Sequence, residues 1–332
     1  AVPAGRAGGG ARAVRLENGT PLAVQLFSGA SSETGLGCAV LLKATYEIRE
    51  GRLEPATEAP WPIHLEPLKT PYGTFPAEIA PRKPRTDVLV LGRAKAPRGE
   101  AVRQMTVSLS VGSFRHSLAV FGDRVWERTA AGFRATEPRP FREMPITWEN
   151  AFGGKASTPT FDVASTDNPA GKGFVLEERD AEGVPLPNVE DPAALIRAPR
   201  DLPKPVGWAP YPLEGGVRMA RVLDRDGSPL PADLAEPWLM AWAHPDLAIE
   251  TPRPGTRIEV QGLTADGPLV AAVPALPARV TLVNGAEEVP LSPRLDTLVV
   301  EAEARRLVAR WRAATTFEMR PREVRLVRVE AA

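Results

Sequence analysis

The sequence predicts a mainly β protein, an antiparallel sandwich or partly closed barrel in which two β-rich halves flank a long, ordered, Pro-rich irregular region. Three observations predict it. Period-two apolar segments bounded by turn pairs recur on both sides of the centre, which is the signature of strands. Amphipathic helical spacing is almost missing between them, so successive strands return antiparallel and not through crossover helices. Between Pro138 and Pro212 lie thirteen of the 36 prolines, a density that neither a helix nor a central strand survives. That stretch nevertheless keeps Phe141, Trp148, Phe152, Phe161, Phe174, Trp208 and Tyr211. A disordered linker lacks such aromatics, so the expectation is irregular backbone laid against a scaffold.

The chain divides accordingly into a flexible tail at 1–12, a β-rich half at 13–137, the Pro- and aromatic-rich region at 138–215 and a second β-rich half at 216–332. The two halves are either separate domains or one composite core. Pro21 to Phe27 alternates weakly, and Cys38 to Ile48 is a longer strand that turns at Glu50-Gly51. Gln104 to Val111 alternates cleanly, Gly112-Ser113 suits a two-residue type II′ turn, and Phe114 to Phe121 runs back. Counting outward places Val111 opposite Phe114, Leu109 opposite His116, Val107 opposite Leu118 and Met105 opposite Val120 on a core face. Ser108, Ser110, Arg115 and Ser117 take the other face. Gly122-Asp123 then leads Arg124 to Arg128 back as the third strand of a meander. Further strands are expected at Arg257 to Gln261, Leu269 to Val273, Arg279 to Val283, Leu295 to Glu301, Arg306 to Ala313 and Glu323 to Val329. Ala232 to Trp242 offers one or two helical turns, interrupted by Pro237.

Composition narrows the function. The chain has 332 residues, 43% of them hydrophobic and 25% charged, which is ordinary for a soluble globular protein. Its 41 basic and 41 acidic side chains cancel to +0, so no global field recruits nucleic acid or an anionic membrane. No segment approaches the ~18 to 20 apolar residues of a membrane span, and the first residues lack the apolar core of a signal peptide. Cytoplasm and no membrane insertion are the expectations. The single cysteine, Cys38, sits in an apolar run and reads as a small buried hydrophobe.

The inventory for catalysis is poor. His64, His116 and His244 are far apart, and the sequence has no His-Glu-x-x-His, phosphate loop, Gly-x-Gly-x-x-Gly or Gly-x-Ser-x-Gly. Glu177, Glu178, Asp180, Glu190 and Asp191 gather in the irregular region, but their spacing matches no calcium loop. Hence no metal, no cofactor and no enzymatic activity are expected. At the C-terminus, period two sorts Leu307, Ala309, Trp311 and Ala313 onto one face and Arg306, Val308, Arg310 and Arg312 onto the other. That second face reads either as a solvated basic sheet face guarding an edge or as a dock for an acidic partner.

The middle of the chain carries a family resemblance. Glu143-Met-Pro-Ile-Thr-Trp-Glu-Asn-Ala-Phe-Gly-Gly154, Asp167-Asn-Pro-Ala-Gly-Lys-Gly-Phe174, Leu186-Pro-Asn-Val-Glu-Asp-Pro192 and Pro203-Lys-Pro-Val-Gly-Trp-Ala-Pro210 resemble successive blocks of the bacterial family called domain of unknown function 2169 (DUF2169). Leu42 to Tyr46, Ala80 to Gly92, Val120 to Trp126, Leu295 to Val300 and Ala309 to Arg312 resemble its flanks, so the similarity runs from about Leu16 to Arg328. Ala243-His-Pro-Asp-Leu247 departs from it, with Leu247 where the family has Gln. The resemblance implies an adaptor or chaperone of bacterial type VI secretion, whose partners are a secreted effector, often bearing a PAAR tip domain, and the spike protein. The irregular region and a nearby sheet edge would hold the effector's N-terminal segment, with Trp148, Phe152, Phe174, Trp208 and Tyr211 as anchors and Asn150, Asn168 and Asn188 as backbone-binding groups. The competing expectation for the same aromatics is that they pin the region to its own core. Alternatives of other classes are a carbohydrate- or peptidoglycan-directed β-protein and a structural subunit of a secretion assembly.

Overall fold

In the computed structural model, which describes residues 14–30, 35–79, 83, 85–157, 161–212, 226, 228, 241–318 and 325–332, the two longest strands come from opposite ends of the chain. Gly35–Arg49 and Arg306–Glu318 pair antiparallel over 13 consecutive positions. Val40, Leu41 and Leu42 are all fully buried, so this ladder is covered on both faces. Around it a seven-stranded sheet runs in the order Ala248–Ile249, Thr86–Leu91, Arg294–Glu301, Arg306–Glu318, Gly35–Arg49, Ala23–Ala30, and Arg52–Pro55 folds back on the end of Gly35–Arg49. Glu50 and Gly51 both have positive φ, the type I′ geometry that matches strand twist in a two-residue hairpin. Thr86–Leu91 lies parallel to Arg294–Glu301, and all six of its residues are buried, as expected for a strand inside a parallel pair.

A five-stranded antiparallel sheet takes the order Val189–Glu190, Phe114–Phe121, Gln104–Val111, Arg257–Gln261, Leu269–Ala272. A four-stranded sheet joins Arg15–Asn18, Arg325–Ala331, Ala278–Asn284 and Glu287–Leu291. The protein is thus mainly β, in several sheets and, among the described residues, with no closed barrel. Strands from both sides of the Pro-rich region share these sheets, and one hydrophobic cluster draws on all three through Val40, Leu109, Leu118, Val280, Leu298 and Val327. Among the described residues the helical elements are four single 3-10 turns. The predicted tail at 1–12 and most of the predicted helical turns at 232–242 lie outside the described residues.

The predicted hairpin register holds at every pair, including Leu109 with His116 and Val107 with Leu118. Gly112 alone of its turn has a positive φ, 59°, as a type II′ turn requires. The meander does not form. Trp126–Thr129 pairs instead with Gly132–Ala135, and the outer flank of Phe114–Phe121 is taken by Val189–Glu190. The cause lies just past the hairpin, where the Arg124 side chain donates to the Glu190 carboxylate and to Pro187 O while Leu186 N donates to Arg124 O. These bonds draw the chain into the irregular region. Ala119 and Phe121, on the supposed solvent face, are buried as a result, with the Arg124 guanidinium 3.9 Å above the Phe121 ring.

Gly122 makes this turn possible, because a Cβ there would lie 1.7 Å from the Arg139 carbonyl oxygen. Gly122→Ala should therefore destabilise the protein by more than the ~1 to 3 kcal/mol of ordinary overpacking, read as a lower urea midpoint. Gly132→Ala, at φ 117° with nothing within 4 Å, should cost only the ~1 to 3 kcal/mol of backbone strain; equal losses in the two variants would contradict this packing.

Candidate functional site

Register builds a charged row across the centre of the large sheet. Lys43 is the ladder partner of Arg310, Arg310 of Thr297, and Thr297 of Asp87, so the four share one face on four adjacent strands. The ladder between Arg294–Glu301 and Arg306–Glu318 is irregular between Leu295 and Thr297. Asp296 is the extra residue of that bulge, and a bulge re-aims a side chain. Here it sets Asp296 beside Thr297 on the face of Arg310 and Arg312, whose Nε atoms donate to Asp296 Oδ1 and Oδ2 at 2.7 Å each.

Lys43 and Arg310 face each other as like charges, an arrangement that destabilises a sheet unless an anion lies between them. Glu78 supplies it: Lys43 Nζ donates to Oε1, and Arg310 Nη1 to Oε2 at 3.0 Å. Arg310 Nη2 donates to Thr297 Oγ1 at 2.6 Å. Lys83 donates to Asp87, whose Oδ2 also accepts from Trp242 N at 2.6 Å. The Trp242 ring lies under these cations, 4.1 Å from the Arg310 guanidinium, 5.6 Å from Lys43 Nζ and 5.8 Å from Lys83 Nζ, within cation–π range. His64 stacks on Trp242 at 5.4 Å and Phe75 meets it edge-on at 4.9 Å.

Burial sets the proton affinities. It pulls the Lys43 and Lys83 ammonium groups down to about 8, against the opposing pull of Glu78 and Asp87. Burial alone would raise the Asp296 and Glu78 carboxyls, but Arg310 with Arg312 for the first, and Arg310 with Lys43 for the second, hold both below the usual carboxylate range. Arg310 and Arg312 have 1% and 6% exposure. Both earlier readings of that strand face are therefore corrected: the period-two assignment is right, but the face is neither solvated nor open to an acidic partner, because the segment from Trp61 to Ile79 and Trp242 lie over it.

The anchors expected in the irregular region are mostly interior. Trp148, Phe152, Trp208, Tyr211, Asn168 and Asn188 are 0 to 6% exposed, while Phe174 and Asn150 are partly buried. Trp148 Nε1 donates to Ala209 O at 3.0 Å, and its ring meets Tyr211 edge-on at 5.1 Å. Trp208 Nε1 donates to His116 Nδ1 at 3.0 Å, which ties the region to the hairpin. The asparagines do bind backbone, but that of their own chain. Asn168 Nδ2 donates to Trp148 O and Phe152 O, Asn188 Nδ2 to Phe121 O, and Asn150 Nδ2 to Pro145 O. Buried backbone outside a ladder still needs partners, and these amides provide them. As folded, Trp148, Phe152, Trp208 and Tyr211 are interior and pin the region, which corrects the expectation that these four are surface anchors. Leu247, the departure from the family block, is a buried core residue at 1% exposure.

The acids of the region do not converge. Glu177, Glu178 and Asp180 are exposed, and Glu190 is ion-paired with Arg124. Among the described residues no three His, Cys, Asp or Glu side chains are grouped to hold a metal ion, and no helix is long and apolar enough to cross a membrane. A groove of about 740 Å³ opens at the edge of the large sheet, where Ala248–Ile249 is the terminal strand. Arg85, the hairpin turn at Gly112 to Phe114 and Thr256 line its other walls.

A multi-sheet β protein with an ionic interior and a groove at a sheet edge is the class these features define. The chain belongs to DUF2169, a family of uncharacterized proteins conserved in bacteria, whose model matches residues 35–312. No match was found among curated proteins or solved structures.

Two measurements check the site as drawn. Asp296→Asn removes the carboxylate that buried Arg312 bonds and one of the two that Arg310 bonds, and should destabilise the protein by about 3 to 5 kcal/mol, read as a lower urea midpoint at unchanged slope; a loss under about 1 kcal/mol would show the pairs to be solvent-screened. Burial lowers the imidazoles of His64 and His116 below their usual 6.5, so the unfolded chain takes up these protons first. Stability should then fall as pH drops below about 6.5. His116 protonation also removes the acceptor for Trp208 Nε1, so the decline should be shallower in His116→Gln.

Proposed function

We propose that this protein is an adaptor that holds an extended N-terminal segment of a secreted effector along the Ala248–Ile249 edge and helps load it onto a secretion spike. The observation that carries this reading is the terminal strand bordering a groove. An open strand offers backbone groups to an added strand, and groove walls select its side chains. The family resemblance supplies the type VI secretion context and the two partners. The irregular region acts as the scaffold of the groove and not as its contact surface: Trp208 locks it to His116 beside the hairpin whose turn forms one wall. A preformed wall limits the ordering entropy lost on binding.

The buried carboxylates favour binding over catalysis. Glu78 and Asp296 are shifted downward by guanidinium neighbours, opposite to the upward shift that makes a general acid at neutral pH. On this reading the protein delivers its partner without modifying it.

Ser113 and Thr256 sit in the groove wall with accessible side chains. Ser113→Trp and Thr256→Trp should leave the melting temperature near wild type while reducing retention of the effector encoded beside this protein by about tenfold or more, equivalent to ~1.4 kcal/mol, in a co-expression pull-down. Wild-type retention with unaffected variants would move the site elsewhere on the surface. If the wild-type protein retains neither a neighbouring effector nor a spike protein, the adaptor reading fails.

A further inference from the structure

The ionic cluster under Trp242 is unbalanced. Lys43, Lys83, Arg310 and Arg312 face Glu78, Asp87 and Asp296, all buried, which leaves, among the described residues, four cations against three carboxylates. Burial lowers the proton affinity of His64, the remaining titratable group beside them. The excess has an address. All three guanidinium nitrogens of Arg310 reach acceptors on Asp296, Glu78 and Thr297. Arg312 spends only Nε, on Asp296, and its Nη1 and Nη2 are shielded from solvent with no acceptor among the described residues. Its side chain is 4% exposed.

A guanidinium does not resolve such a position by giving up its proton, and unsatisfied buried donors on a charged group are costly. The free pair of nitrogens is the fork that binds two oxygens of one oxyanion side by side. Arg294 is the ladder partner of Arg312 and is exposed, so the Arg312 end of the cluster lies beside the solvent-facing edge of this strand pair. We propose that the Nη1 and Nη2 edge of Arg312 is a binding site for a single oxyanion, which neutralises the cluster where the described residues supply no fourth carboxylate. The ligand chemistry is two oxygens on one phosphorus, sulfur or carbon centre, from an inorganic anion or from a carboxylate. This inference is independent of the adaptor reading.

The test is thermal denaturation of the full chain titrated with phosphate, sulfate or acetate at constant ionic strength, with chloride as reference. Excluded anions stabilise any folded protein without saturating, whereas a site gives a saturating rise in melting temperature. Wild type should show the saturating component, Arg312→Gln should lose it, and Arg312→Lys, which keeps the charge without the fork, should need a higher anion concentration. Saturation with phosphate or sulfate assigns the site to inorganic or phosphoryl oxygens; saturation with acetate alone assigns it to carboxylates. Superimposable curves for wild type and both variants would overturn the site. Should Arg312→Gln fail to fold, calorimetric titration of wild type decides: equimolar uptake of one of these anions supports it, and no uptake of any of them ends it.

Discussion

Glu78 is the interaction on which the centre of this fold depends. The two longest strands meet with Lys43 directly opposite Arg310, and no residue of either strand relieves that repulsion. Relief arrives from the segment beginning at Trp61, whose Glu78 takes a proton donor from each cation and the backbone N–H of His64. The same segment is pinned at its start by Trp61 Nε1 on Glu301. What lies over this face of the sheet is therefore not a generic apolar layer. It is fixed in position by where its one buried carboxylate must go, and Trp242 follows because its backbone N–H, like that of Ala243, donates to Asp87 Oδ2.

Such a network contributes less to net stability than its bond list suggests, since desolvating seven charges offsets most of their attraction. Its stronger effect is on register. A two-residue slip of Arg306–Glu318 would keep every side chain on its own face, so hydrophobic burial alone would not penalise it strongly. The slip would carry Arg310 and Arg312 past Asp296 and strand buried charge. The bulge at Asp296 makes the match unique, because it is the one point on the neighbouring strand where two consecutive residues face the arginines.

These particulars also show what was legible in the sequence. The hairpin was, because its apolar alternation and a Gly-Ser turn agree locally and its partners are adjacent in the chain. The parity of Arg306 to Ala313 was legible for the same reason, but its environment was not: Glu78 and Asp296 lie 232 and 14 positions from Arg310, and alternation says nothing about what covers a face. The bulge carried no Gly or Pro to mark it. In the irregular region, the aromatic content correctly signalled ordered backbone. The step from order to exposed anchors failed for Trp148, Phe152, Trp208 and Tyr211: Trp148, Asn150 and Asn168 donate to backbone of the region itself, where a proline-rich chain without ladders must find its hydrogen bonds in side chains, while Trp208 and Asn188 tie it to the hairpin.

For the proposed docking site the consequence is a change of address, from the irregular region to the groove beside Ala248–Ile249. With its large aromatics committed inward, the irregular region has little left to offer as contact surface, although Phe161 and Leu202 remain 59% and 69% exposed. It is tied at Trp208 to the hairpin, at Tyr211 to Trp242 and at Asn188 to the hairpin's far end. The tie at His116 lies two residues from Phe114 in the groove wall, and Trp242 lies three residues before Pro245, which also lines it. On the proposed reading, irregular backbone held at these two points supports the wall that faces the Ala248–Ile249 edge, and a supported wall beside a terminal strand is what a site for an extended segment requires.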